Sequence, residues 1–545
     1  MEGHSIFKLK QDPDRDLDSS NHGILNSNLR QITASRGIDE KSFSSGVQNF
    51  KFELAGNKWW RPSKSYMRLR CKLSKTAGVP LRLSDGIAPA MGLCGNLYQN
   101  MDFKMGDTTI SRVSNNVGQV NVLKQRLDKS RAWTKSIGAS TNFWDESFVN
   151  RQNAVCQDGV IAGRELEETL TRQQQIGYNI ADTAEYNGDK EVIIRYQAEK
   201  PAGTWLAGDL YSDPWQQQIA PRQVILDVAV SGDNKTWTLL LSQLAAVTAV
   251  PANPASQFTR TRITNESSRR VSEMELIWQP PLSIFDYEGA LPCGKYELSM
   301  LPFNVSQMKL NAIESIGNTT KTVDDFVFEV EEIYLYIEEL EGENCTDMKY
   351  LLDLSQLRMQ ENVFTTSGFA QRSFDVSPAT NALTIAYQDG RVNSDTRVSA
   401  SKFKIYPDVI PSDAATNIIS DYGLRMNRQY FSYSGHNYPP QDAETKFDAT
   451  VDRTTQRYVE SLMQSNAYSD TGGNETIAEF HSAGSYYHQK IYKDRSDGAT
   501  RAVVYSGFSG ANNANARVLL FDTHTIVAEV TISNGSIKNV SVAEM

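Results

Sequence analysis

The chain has 545 residues, of which 40% are hydrophobic, 22% charged and 10% aromatic. This composition excludes wholesale disorder and collagen-like repeats, and the length predicts two to four domains at roughly 100–200 residues each. The formal net charge of -10, from 55 basic against 65 acidic residues, excludes a general surface that coats nucleic acid.

No run approaches the ~18 consecutive apolar residues of a membrane span. The opening segment, MEGHSIFKLKQDPDRDLDSS, lacks the apolar core and small-residue cleavage site of a signal peptide. Cys71, Cys94, Cys156, Cys293 and Cys345 are odd in number and form no CxxC, which predicts free thiols in a reducing compartment. The sequons at Asn234, Asn318 and Asn474 then read as chance rather than as glycosylation sites.

Residues 1–45 are polar and mixed in charge. They read as an arm, at most partly helical, that takes its order from a partner or from the main body. Strand alternation begins at Phe50. In FKFEL, Phe50, Phe52 and Leu54 alternate with polar residues, and in SYMRLRCKL Met67, Leu69, Cys71 and Leu73 alternate with Arg68, Arg70 and Lys72. Such a period of two marks a half-buried antiparallel strand. Between them lies GNKWWRPSK, where Trp59 and Trp60 precede a predicted turn at Pro62. At least one of these two rings should be buried. LYQNMDFKMGDTTI follows as another strand. Val120, Leu123 and Leu127 share one face of a helix predicted between Asn116 and Lys135. The segment 139–265 reads as a long, loop-rich insertion whose Trp144, Trp205 and Trp215 are costly to leave exposed. A neighbouring copy's loops are the expected cover for them. QVILDVAV, TWTLLL, VSEMELIWQPPLSIFD and GKYELSML are strands. DFVFEVEEIYLYIEEL closes this half, with a bulge predicted at Glu331–Glu332 where the alternation changes phase.

Residues 341–362 read as a linker with a short helical middle, and the strand grammar restarts after it. Candidates are RSFDV, NALTIAYQDG, VSASKFKIYP, GLRMNRQYFSYSG, RAVVYSGF and RVLLFD, with one helix at 451–464. The chain ends in TIVAEVTI-SNG-SIKNVSV, where Asn534-Gly535 is a hairpin signal. The pattern is two successive all-β units, without the regular β/α alternation of a parallel sheet.

Chemical motifs are weak. Gly289 to Tyr296 has the Gly-x4-Gly-Lys spacing of a phosphate loop, but Tyr296 stands where Ser or Thr must meet magnesium and a strand follows instead of a helix. Asp12, Asp14, Asp16 and Asp18 lack the glycine and closing Glu of a calcium loop. His481 and His488 have no ligand partners at metal spacing. GFSG at 507–510 is not a nucleophile elbow. Glu331–Glu332 and Glu338–Glu339 read as solvent faces of a strand. The aromatic clusters Trp59-Trp60, Tyr430-Phe431-Ser-Tyr433 and Tyr486-Tyr487 read as core or interface before sugar or base platforms. The expectation is therefore no catalytic, metal or cofactor-binding residue and no enzyme.

The order FKFELAGNKWWRPSKSYMRLRCKL, strand, helix, IWQPPLSIFDYEGALPCGKYELSMLPFN, FVFEVEEIYLYIEEL resembles the first domain of double jelly-roll major capsid proteins. The second half continues the likeness in LRMNRQYFSYSGHNYPP, FHSAGSYYHQKIYKDRSDGATRAVVYSGF and RVLLFDTHTIVAEVTISNGSI. The similarity is to capsid proteins of polinton-like viruses and virophages. It implies two eight-stranded jelly rolls: an arm at 1–45, a first roll at 46–340 with the insertion at about 139–265, a linker at 341–362 and a second roll at 363–545. It also implies homotrimeric, pseudo-hexameric capsomers in an icosahedral double-stranded DNA virus shell assembled inside the host cell. Neighbouring capsomers and penton or minor capsid proteins would be the partners, without sequence-specific nucleic-acid binding. The competing expectation is a multidomain β-sandwich carbohydrate-active enzyme or lectin.

Overall fold

The computed structural model describes residues 26–35, 43, 46–75, 87–141, 273–315, 322–342, 347–364, 368–390, 403, 425–439, 486–491, 499–509 and 516–544, with strands and turns inside 171–263 and 447–465. Eight strands build the first half. They are β1 (Asn26–Ile32), β2 (Gln48–Leu54), β3 (Lys58–Lys75), β4 (Tyr98–Met105), β5 (Thr108–Ser114), β6 (Glu273–Trp278), β7 (Gly294–Pro302) and β8 (Phe326–Glu341). They form two four-stranded antiparallel sheets, in the orders β1-β8-β3-β6 and β2-β7-β4-β5. First pairs with eighth, second with seventh, third with sixth and fourth with fifth. That is one long hairpin rolled into two facing sheets, a jelly roll.

The second half repeats it. The strands are β9 (Met348–Phe364), β10 (Gly368–Asp375), β11 (Thr380–Asp389), β12 (Arg425–Tyr433), β13 (His436–Tyr438), β14 (Tyr486–Lys490), β15 (Arg501–Ser509) and β16 (Ala516–Ser533). Their sheets run β9-β16-β11-β14 and β10-β15-β12-β13, the first roll's order with eight added to each label. Each roll also carries a helix between its fifth and sixth strands, α1 (Val117–Asp128) in the first and α2 (Thr454–Gln464) in the second. The protein is thus an all-β double jelly roll. A final strand, β17 (Ser536–Glu544), returns on β16 through Asn534 and Gly535, whose φ of 53° and 68° suit the turn read from the sequence.

Four expectations need correction. The first roll begins before residue 46, because from Asn26 the arm takes its order from the body as the edge strand β1 paired with β8. Residues 1–25 lie outside the described residues. Among its described residues the linker 341–362 has no helix. Strand β8 ends at Glu341 and β9 starts at Met348, with Tyr350, Leu352 and Leu354 inward. Leu351 is 59% exposed, and its apolar side chain beside Leu352 hid the alternation. The turn at Pro62 is a bulge inside the single strand β3, where residues 62–65 have no partners on β8. Proline lacks the ladder donor, and a bulge does not ask for one. The Ser65 hydroxyl closes the bulge by donating to Arg61 O and accepting from Trp60 Nε1 and Glu338 N.

The insertion is the fourth. Within 171–263 it forms a seven-stranded antiparallel sheet rather than loops. Val192, Ile194, Trp205, Trp237, Leu239 and Leu241 make a core separate from that of the rolls. Trp205 is fully buried in its own chain, its Nε1 donating to Tyr196 Oη at 3.0 Å, so it needs no neighbour's loops. Trp144 and Trp215 lie outside the described residues. The chain leaves the roll at the short helix Ile137–Ser140, which packs beside β6, where the chain returns. Entry and exit are therefore close together. Replacing 142–270 by a short Gly-Ser linker should leave both rolls folded, with an unfolding free energy from denaturant titration changed by no more than about 1 kcal/mol, since loop length costs little. Loss of the cooperative transition would tie this module to the rolls' own stability.

The two rolls share one apolar body. The middle of sheet β9-β16-β11-β14, along 382–388 and 516–522, is buried on both faces. Leu383, Ile385, Tyr387, Val518 and Leu520 close on Phe374, Phe431, Tyr433 and Val504 of the second roll's other sheet. Leu352, Leu354, Ala386, Tyr486, Leu519 and Phe521 face the opposite way and join the core of the first roll. Strand β17 completes the seam. Val540 belongs to the first roll's core, its carbonyl accepts from Thr108 Oγ1, and Ile537 lies against Gly294, where a Cβ would come within 2.5 Å of it.

Candidate functional site

Where they are described, the residues singled out for chemistry lie in strands and packed turns. In the Gly289–Tyr296 segment, Leu291 exchanges backbone hydrogen bonds with Trp60, and Gly294 opens strand β7. Tyr296 is buried and its hydroxyl donates to Pro292 O. A strand and not a helix follows this turn. His488 is buried on β14, with Nδ1 at 2.8 Å from Thr384 Oγ1 and its backbone N–H donating to Ser461 Oγ of α2. Burial pushes its imidazole down to about 4, so it sits neutral as a packing group. His481 and Asp12 to Asp18 lie outside the described residues. Cys71, Cys94 and Cys293 are buried free thiols, and burial pushes that of Cys71 up to about 12, away from reactivity. Among the described residues no cluster of three His, Cys, Asp or Glu is placed to hold a metal ion.

Glu338 and Glu339 are not a solvent face. Glu339 is 6% exposed and accepts from Lys58 Nζ and from Arg30 Nη1 at 3.1 Å. Glu338 pairs with Arg61 at 3.2 Å and accepts from Ser27 Oγ at 3.0 Å. Glu339 keeps the inward phase of Ile333, Leu335 and Ile337, so its place in the alternation marked it as buried, and the reading failed because it went by the charge of the side chain. At Glu331 the bulge lies where the pattern placed it, and Arg70 pairs with Glu331 at 3.1 Å on the outer face.

Helix α1 lies between the rolls. Asn121 Oδ1 accepts from Trp278 Nε1 at 3.0 Å inside the first roll, and Gln119 Nε2 reaches Gln388 Oε1 on β11 at 3.4 Å. Arg517 at the start of β16 is 7% exposed; it pairs with Glu361 and reaches Gln388 Oε1 and Asn116 Oδ1 at 3.4 Å each. Arg126 lies over the Phe403 ring at 5.7 Å, and Phe403 meets Tyr486 and Phe521 edge-on. The amphipathic pattern predicted one buried face. Instead α1 is buried from Val117 to Leu123, because it has a roll on either side.

What the fold presents outward is two aromatic sheet faces, the first of them also ion-paired. On the first roll Tyr66 and Tyr336 stack at 5.3 Å, Tyr336 Oη donates to Gln31, and Arg68 pairs with Glu275 at 2.7 Å. Leu29 and Ile277 stand exposed on the two edge strands of the same sheet. On the second roll Tyr430, Tyr505 and Phe369 form a ladder across β12, β15 and β10, with centroids 4.6 Å and 6.0 Å apart. Phe369 is 53% exposed at the sheet edge. The rings cover one another's faces, which leaves little platform for a sugar. Tyr, Phe and Arg are the residues that protein interfaces concentrate. Phe369 and Tyr505 escaped sequence reading because they meet only once β10 and β15 are paired.

No protein-family model matches the chain, and no curated protein matches it. Solved structures are similar in outline. A chain of the Sputnik virophage is 9% identical, with 96% of this chain and 89% of that one covered and a TM-score of 0.46. The mavirus major capsid protein is 9% identical over 100% and 95%, with a TM-score of 0.45. The Faustovirus major capsid protein is 6% identical over 96% and 95%, with a TM-score of 0.42. Strand order alone, read from the pairing registers, defines the two jelly rolls.

Proposed function

We propose that this chain is a major capsid protein whose trimers tile the hexagonal positions of an icosahedral double-stranded DNA virus shell. The observation that carries the reading is the repeated strand order in two rolls joined through one doubly buried sheet. Each copy then supplies two like wedges at a fixed angle. Three copies around a threefold axis give a six-cornered block, and closed rotational symmetry uses one heterologous contact three times. Outer faces rich in tyrosine, phenylalanine and cross-strand ion pairs suit such contacts. Neighbouring capsomers and penton or minor capsid proteins are the partners in this reading, the virion is its location, and the role is structural, without a catalytic step.

Sedimentation of the purified protein tests it. The expected result is a trimer near three times 60.9 kDa that persists on dilution, because an obligate contact buries upward of ~2,000 Å². A stable monomer would overturn the capsomer reading and favour a carbohydrate-binding β-sandwich protein instead.

A further inference from the structure

Strand β1 is attached differently from every other strand of the first roll. From Asn26 to Gln31 its residues are exposed, and only Ile32 is buried. It contributes almost no apolar area, so its hold on β8 is the backbone ladder from Asn26↔Glu341 to Ile32↔Leu335 plus polar side chains. Those side chains converge on two carboxylates. Arg30 Nη1 donates to Glu339 Oε2 at 3.1 Å and to Glu53 O of β2 at 3.3 Å, while Ser27 Oγ donates to Glu338 at 3.0 Å. From β3, Lys58 pairs with Glu339 and Arg61 with Glu338.

We propose that β1 is a strap latched by charge, which opens when Glu339 loses its negative charge and so bares the edge of β8. Burial raises the Glu339 carboxyl, but the bonds from Lys58 and Arg30 outweigh it and leave the group below its ordinary value. A carboxylate lowered in this way holds the strap at neutral pH and releases it as pH falls through its folded-state value. The groups facing it are Arg30 on β1, Lys58 and Arg61 on β3, and its neighbour Glu338 on β8.

Hydrogen exchange of the full chain, normalised to intrinsic rates, decides the matter. A peptide covering 26–32 is compared with one covering 516–524, which lies in the buried central strand β16. In Glu339→Gln at neutral pH the 26–32 amides should exchange about tenfold faster or more, the effect of losing a charge-assisted bond, while 516–524 is unchanged. Arg30→Gln, whose side chain is 45% exposed and whose replacement spares the core, should act in the same direction. Wild-type protein should lose the same protection below the ordinary carboxylate range. Protection of 26–32 that stays at the wild-type level in both variants overturns the strap. So does protection that is lost only in step with 516–524, because the event is then global unfolding.

Discussion

Replacing Trp60 by alanine should lower the stability of the protein by about 3–5 kcal/mol, the range for truncating a large buried aromatic. Trp60 is fully buried at the centre of the first roll. Phe103 stacks on it at 5.1 Å, Phe52 and Phe285 meet it edge-on at 5.2 Å and 6.0 Å, and Tyr296 leans on it at 5.3 Å. Phe52, Phe103 and Tyr296 come from the facing sheet and Phe285 from the 3-10 turn Ser283–Asp286, so the indole, carried by β3 of the other sheet, is a contact that closes the sandwich. Its Nε1 also fixes the Ser65 hydroxyl that closes the bulge in β3. Phenylalanine at this position keeps most of the packing and loses the hydrogen bond, with an expected cost of about 1–2 kcal/mol. Denaturant unfolding followed by circular dichroism measures both. A loss of less than ~1 kcal/mol for Trp60→Ala would mean that the sandwich does not depend on this ring.

The fold was legible where a strand has one dry and one wet face. FKFEL and SYMRLRCKL alternate because Phe50, Phe52, Met67 and Leu69 point into the first core while their neighbours meet solvent. Asn534-Gly535 was legible because only a few residues take positive φ in a two-residue turn. Reading failed where the environment is not two-sided. In RVLLFD, Val518 to Phe521 are all buried, since the strand has the second roll's core on one side and the first roll on the other. Tyr486-Tyr487 is adjacent and doubly buried for the same reason. A run of this kind marks a layer between layers. Strand β1 failed in the opposite way. It buries almost nothing, so no pattern announces it, and what holds it is backbone pairing and charge from residues some 300 positions away. The outer-face ladder of Phe369, Tyr505 and Tyr430 could not be read at all, because register exists only after folding.

The doubly buried sheet makes the joint between the rolls the second place where one substitution should matter most. Leu519 is fully buried on the face of β16 that meets the first roll, beside Phe521 and opposite Ala386. Leu519→Ala leaves a cavity and should cost about 2–5 kcal/mol. Leu519→Asp places a carboxylate in this buried apolar layer, and a buried uncompensated charge costs about 3–5 kcal/mol of its own. The aspartate should respond by holding its proton, so its carboxyl rises above the ordinary value. A raised carboxyl is neutral below that raised value, and the variant should therefore be less destabilised at pH 5 than at pH 8, whereas Leu519→Ala should be equally affected at both. The form of the transition matters as much as its midpoint. In the wild type one apolar body spans both rolls, so they should unfold together. In Leu519→Asp the second roll still has its own core of Leu383, Ile385, Tyr387, Val518 and Leu520, so unfolding should split into two steps. A single cooperative transition at both pH values, with a midpoint near that of wild type, would mean that the rolls are held at their fixed angle by β17 and the Arg517 cluster instead of by the shared sheet.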